Sequence, residues 1–181
     1  RLLFDGLESK GDPFDAKFAK MVLETKLVNC DWNAASTSAL KVSKVAKKSA
    51  NYQLSSFVFK LFSLFEGQLW KANSYSDYPL FDLELSQETV KKAEFALKLV
   101  KQTIAKFESL NSESLKRFVQ TIDVFVSLKS GNSAETVKKL SELPVDYELF
   151  CLLRKIVTVS DNDLLKRDLV SLYEIQFTSF F

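Results

Sequence analysis

Apolar residues recur along this chain every three to four positions, in stretches too long for strands and seldom interrupted, which is the spacing of amphipathic helices. Residues 2–9 read as a short first helix that stops at Gly11 and restarts with Asp12 as N-cap and Pro13 at the first helical position. The second helix carries Phe14, Phe18, Met21, Val22, Val28 and Trp32 near one face and predicts a buried stripe there. Asn33 is placed to cap a third helix whose face holds Ala35, Ala39, Val42, Ala46 and Ala50, a seam small enough for another backbone to come close. A fourth, from Tyr52 to about Trp70, is apolar nearly all round and belongs in the centre of a core.

The helical period lapses over residues 73–85 and returns at Ser86, which caps a helix running to about Leu110 with Val90, Ala93, Leu97, Val100, Ile104 and Phe107 inward. Asn111 or Ser112 starts the next, through Leu115, Val119, Ile122, Phe125 and Val126, and Gly131 suits the left-handed position that ends it. Ser133 caps a short helix closed by Leu143-Pro144, and Asp146 caps another through Leu149, Leu152, Leu153 and Ile156. Ser160 opens the last in a pattern like a capping box, with Asp163 in place of the usual Glu and Leu165, Leu169, Leu172, Ile175 and Phe180 inward. The prediction is one all-α domain over residues 1–181, about eight helices in an irregular multi-helix bundle or a short superhelical stack of helical pairs, and no fixed repeat is visible.

Composition supports this picture: 46% of residues are hydrophobic, 16 are Phe, and only four Gly and three Pro break the helices. Residues 57–65 form the densest apolar run, bounded by Glu66 and interrupted by Lys60, which is too short to span a bilayer, so a transmembrane role is not expected. The net charge of +2 is small, but its distribution is uneven. Lys41, Lys44, Lys47, Lys48 and Lys60 meet no acid between Trp32 and Phe65, whereas Asp77, Asp82, Glu84 and Glu88 meet no base between Ala72 and Val90. Cys30 and Cys151 are too few for a disulfide framework, so an intracellular compartment, cytoplasmic or nuclear, is the expectation, with one long-range disulfide open.

The chain contains no histidine, which removes His-based acid–base chemistry and the usual nucleophile triads. Two cysteines and carboxylates make a poor zinc set, and the four glycines are isolated, so no phosphate-cradling loop exists. No cofactor or metal is expected. Asp161 and Asp163 read as negative charge at a helix N-terminus rather than a catalytic pair. A His-independent enzyme using carboxylates or Lys stays open.

Three surfaces are candidates. Lys41, Lys44 and Lys48 share a helical face with Lys47 beside it, and suit phosphates of anionic lipid or nucleic acid, or an ordinary solvated face neutralised by the acidic segment. Tyr75, Tyr78, Leu80 and Phe81 sit in the irregular segment and either fold onto the core or engage a partner. Residues 80–84 there resemble a clathrin-box peptide in their acidic-leucine pattern. Phe177, Phe180 and Phe181 place an apolar cluster at the chain end, which covers the core or meets a partner. The Phe-rich fourth helix suits close packing, or the wall of a cavity for an apolar ligand. Residues 140–145, then Leu153-Arg154-Lys155 and a final helix, resemble the helical domain at the start of transcription elongation factor S-II, but its Gly-containing turn is missing and no residue role carries over. The sequence thus favours a non-catalytic helical module that binds another protein, as part of a larger scaffold or assembly, over a binder of apolar ligand or anionic surfaces.

Overall fold

The computed structural model describes residues 13–45, 49–67, 78–110 and 112–178. Among them are eight α-helices, two short 3-10 turns and no strand, so the protein is all-α. The helices are α1 (Pro13–Val28), α2 (Trp32–Val45), α3 (Ser49–Leu64), α4 (Gln87–Lys106), α5 (Glu113–Lys129), α6 (Ser133–Ser141), α7 (Tyr147–Val159) and α8 (Asp163–Phe177). The 3-10 turns are Pro79–Asp82 and Glu108–Leu110. The expected helix over residues 2–9, the Asp12 cap, Ala46 and Trp70 lie outside the described residues. The chain divides into two compact units, the first from Arg1–Gly67 and Lys92–Val119, the second from Gln68–Lys91 and Gln120–Phe181.

The first unit is organised around α2 and α3, which run antiparallel. Ser56 Oγ donates to the Ser36 carbonyl at 2.8 Å, leaving the Ser36 hydroxyl 3.4 Å from Ser56 Oγ, while Lys60 Nζ donates to Asn33 Oδ1 at 2.9 Å. Ala35, Ala39 and Val42 are fully buried along this seam, as their small size predicts. The two serines satisfy each other where water is excluded, which keeps a polar seam from being costly. On α3 Leu54, Phe59, Leu61 and Phe62 are buried, but Phe57, Val58 and Leu64 are only half-buried, and the helix ends at Leu64 rather than near Trp70. Glu66 and Gly67 both turn left-handed (φ 54° and 74°), and Gly67 N–H closes the end onto the Phe62 carbonyl at 2.9 Å. The Trp32 ring stacks on Phe62 with centroids 5.0 Å apart. A Cβ on Gly67 would lie 3.1 Å from Trp32 Nε1, so this close approach needs glycine.

Two sequence expectations fail in α1 and α2. Phe18, Met21 and Val28 are not a buried stripe: they are 60%, 57% and 82% exposed, and among the described side chains of α1 it is Leu23 that is buried. The apolar spacing runs on through Trp32 because no Gly or Pro marks the break. Cys30 instead adopts φ 54°, and Asp31 N–H reaches the Lys26 carbonyl at 3.0 Å. This ends α1 at Val28 and rotates the next helix out of phase. Asp31, not Asn33, then caps α2, its carboxylate accepting from Ala34 N–H at 3.2 Å.

The long helices α4 and α5 follow their sequence pattern. Val90, Ala93, Ala96, Leu97 and Val100 are buried on α4, and Val119, Ile122, Val124, Phe125 and Val126 on α5. Ile104 and Phe107 are only half-buried, because α4 stops at Lys106 and gives way to the second 3-10 turn. Ser86 and Ser112 cap the two helices as expected. Gly131, at φ 77°, ends α5, with Asn132 N–H on the Ser127 carbonyl.

In the second unit the caps shift by one or two residues from those expected. Asn132 rather than Ser133 caps α6, and Asn162 rather than Ser160 caps α8. Asn162 does two jobs: its Oδ1 accepts from Leu165 N–H at 3.0 Å and its Nδ2 donates to Ser133 Oγ at 3.0 Å. That bond joins the starts of α6 and α8, and Gln176 Nε2 donating to the Ser141 carbonyl at 3.4 Å joins their ends, so these two run parallel. Asp146 caps α7 as predicted, accepting from Leu149 N–H at 2.8 Å.

Candidate interaction surface

The irregular segment before α4 folds inward where the structure describes it. Tyr78, Leu80 and Phe81 are at most 1% exposed, so they are removed from the candidate surface. Phe81 meets Phe125 edge-on at 5.2 Å and Tyr78 meets Phe81 edge-on at 6.0 Å. Aromatic area of this size stabilises the core by a few kcal/mol per ring, enough to hold Tyr78 at the unfavourable φ of 36°. The acidic residues beside it are used locally: Asp82 pairs with Lys155 at 2.7 Å. Lys129 Nζ donates to the Phe81 carbonyl at 2.9 Å, and burial pushes its amine below the usual lysine value, against the opposing pull of Asp82 and Glu84. Asp82 is therefore paired within the second unit, and the peptide resembling a clathrin box has its Leu80 and Phe81 packed away.

Of the lysine face, Lys41 and Lys44 are exposed on α2, and Lys47 and Lys48 lie outside the described residues. Lys60 does not extend the face as a free charge, because it is bonded to Asn33. Tyr75, Phe180 and Phe181 also lie outside the described residues.

Phe177 leads to a surface the sequence did not single out. In α7 the leucines and Ile156 are buried along one face, and in α8 Leu165, Leu169 and Leu172 are buried in turn. Tyr147 and Phe150 therefore fall on the other ridge of α7, and Val170, Tyr173 and Phe177 on the matching ridge of α8. Phe150 lies 6.2 Å from Tyr147, 6.0 Å from Tyr173 and 6.3 Å from Phe177, and Tyr173 stacks on Phe177 at 5.1 Å. The start of α7 thus meets the end of α8, and the pair is antiparallel. Four rings form one cluster at the surface: Tyr147 is 72% exposed and Tyr173 37%, with Val170 exposed on the same row of α8. Ile175 was expected inward, but it is 75% exposed; two residues from Tyr173, it lies on the other flank of α8 from the ridge. Hydrogen bonding to Cys151 holds the Tyr147 phenol above its usual value, against the opposing pull of the Arg154 guanidinium. The sequence signal for this ridge was the aromatic pair at Tyr147 and Phe150, three apart, on a helix that already had a complete leucine face.

A cavity of about 370 Å³ opens where α5 ends and α6 and α8 begin, with Lys129, Ser133, Thr136, Ser160, Asn162 and Leu165 in its wall. No α3 residue lines it, so the Phe-rich helix is packing rather than the wall of this cavity. Cys30 and Cys151 are both free thiols. Tyr52 is buried in α3, and its burial, with the Glu24 carboxylate adding to the effect, pushes its phenol up to about 12. Among the described residues no helix is long and apolar enough to cross a membrane, and no group of three or more Cys, Asp or Glu could hold a metal ion. Comparison of the chain with protein-family models, curated protein sequences and solved structures finds no match.

Proposed function

We propose that the protein is a non-catalytic helical module that binds another protein, and that the aromatic ridge of α7 and α8 is its binding face. The observation that carries this reading is the cluster of Tyr147, Phe150, Tyr173 and Phe177, four rings in mutual contact and partly open to water. Contiguous apolar area of this kind is costly to leave wet and is enriched at interfaces, where tyrosine offers large area with few torsions to immobilise. Phe150 of α7 meets Tyr173 and Phe177 of α8, so the ridge also joins the two helices while leaving Tyr147 and Tyr173 open to water. The two free thiols suit a reducing compartment, cytoplasmic or nuclear.

The test is stoichiometric capture by the wild-type chain and by Tyr147→Ser/Val170→Ser. Both side chains are at least half exposed, so the variant should melt within a few degrees of wild type. We expect a partner held by wild type and at least tenfold depleted on the variant. A partner retained equally by both would place binding elsewhere.

A second reading has its own observation: Lys41 and Lys44 are exposed, three apart on α2. Docking on anionic lipid or nucleic acid through them would be salt-sensitive and lost in Lys41→Glu/Lys44→Glu. The apolar-ligand reading draws no support from the cavity beside α6, whose wall carries hydroxyl, amide and ammonium groups.

A further inference from the structure

The outer face of α4 carries a ring that the packing of the helix does not use. Val90, Ala93, Ala96, Leu97, Val100 and Thr103 are buried and complete its inward side. Phe95 is 63% exposed, because it lies two residues from both Ala93 and Leu97, about 160° round the helix from each. Lys92 stands three residues before it on the exposed side, and Lys98, Gln102 and Lys106 stand three, seven and eleven after it, all exposed. The row from Lys92 to Lys106 is about 21 Å long.

The acids of α4 do not cancel this charge. Glu94 is one residue from Phe95 and about 100° round the helix, on the flank where Lys101 lies seven positions on. Glu88 reaches the Phe95 side two turns earlier, with Lys91 and Lys92 three and four positions after it, the spacing at which opposite charges offset each other. From Glu88 to Lys106 five lysines meet two glutamates. At the start of α5 the Glu113 carboxylate is taken by Lys116 at 2.7 Å. A single strand of nucleic acid is held in a basic groove with several stacking rings, and a duplex is read by arginine forks. The α4 row is convex, with one ring and no arginine, and it presents its side chains to one plane.

Going beyond the protein-binding reading, we propose that the outward row of α4 centred on Phe95 docks the protein on an anionic lipid bilayer. Phe95 enters the boundary between headgroups and acyl chains, and the long stems of Lys92, Lys98 and Lys106 carry their ammonium groups to the lipid phosphates around it. One ring and a few lysines give weak, reversible attachment that lipid charge and salt control. The proposal stands apart from the α7–α8 ridge, and it places lipid contact on α4 rather than on Lys41 and Lys44 of α2.

The experiment is sedimentation of the full chain with vesicles of phosphatidylcholine alone and with about 30% phosphatidylserine. The chain should sediment with the anionic vesicles only and be released as salt rises. Lys98→Glu/Gln102→Glu should weaken binding at least about tenfold and Phe95→Ser about fivefold, while Phe95→Leu keeps most of it. All three positions are exposed, so circular dichroism melts of the variants should stay within a few degrees of wild type. In Phe95→Trp, brominated lipid should quench emission beyond any quenching seen in wild type, which reports entry of the ring. Binding that ignores Phe95→Ser, or that is lost only in Lys41→Glu/Lys44→Glu, would overturn the proposal. No binding to either vesicle would overturn it as well. Capture of single-stranded RNA in preference to anionic vesicles, lost in Lys98→Glu/Gln102→Glu, would give the row to nucleic acid instead. Partner capture by Tyr147→Ser/Val170→Ser is read separately, so failure of one proposal leaves the other standing.

Discussion

The α2–α3 pair and the α7–α8 pair solve the same packing problem in opposite ways. Between α2 and α3 the seam is alanine, serine and valine, and the backbones come near enough for Ser56 Oγ to reach the Ser36 carbonyl. Close approach of the axes leaves the large rings of α3 to pack beside the seam, where Phe59 and Phe62 are buried and Trp32 lies over them. On α7 and α8 the buried residues are leucine and isoleucine, and the rings that join the two helices, Phe150 with Tyr173 and Phe177, stay at the rim. Where small residues line the contact the aromatics lie inside, whereas here aliphatic residues take the interior and the aromatics are left partly open to water.

Changing the seams should break that contrast in a graded way. The largest effect is expected from Leu169→Ala in α8, where the side chain is 1% exposed: the cavity should cost about 2–5 kcal/mol in urea denaturation. It should also loosen the rim rings and weaken any partner that needs them. A loss below about 1 kcal/mol would mean that the α7–α8 seam is not tightly filled. Ala39→Leu in the small seam should cost about 1–3 kcal/mol by overpacking, and a neutral result would refute close approach of α2 and α3.

The smallest and most specific test compares two glycines that end helices with nearly the same backbone, Gly67 at φ 74° and Gly131 at φ 77°. Alanine at Gly131 meets nothing within 4 Å and should cost only the left-handed penalty, about 1 kcal/mol. Alanine at Gly67 presses on Trp32 and should cost about 1 kcal/mol more, with a change in tryptophan fluorescence that Gly131→Ala does not produce. Equal costs and unchanged fluorescence would mean that the Trp32 ring can move aside freely.

Much of the fold was legible in the sequence. The buried faces of α2 to α5, the Ser86, Ser112 and Asp146 caps and the Gly131 stop follow from residue spacing and hydrogen-bonding chemistry that act within a few positions. The break after α1 and the start of α8 carry no glycine or proline, while at the end of α3 the apolar period runs on past Gly67. Cys30 takes a left-handed conformation that its side chain does not advertise, and the Asn132 and Asn162 caps compete with serines one or two residues away. The candidate surface was less legible. Tyr78 and Phe81 look like a sticky loop until Phe125, more than forty positions away, is seen to cover Phe81.

The sequence by itself determined an all-α chain and most of its helices, because periodicity, capping and turn preferences are local. It also excluded histidine chemistry, because composition needs no geometry. The tertiary structure decided which apolar residues stay wet. An amphipathic helix with two apolar rows does not say which row is inward; that depends on which row finds a matching partner. On α7 and α8 the leucines are the row that is buried, and the aromatic ridge is left at the surface.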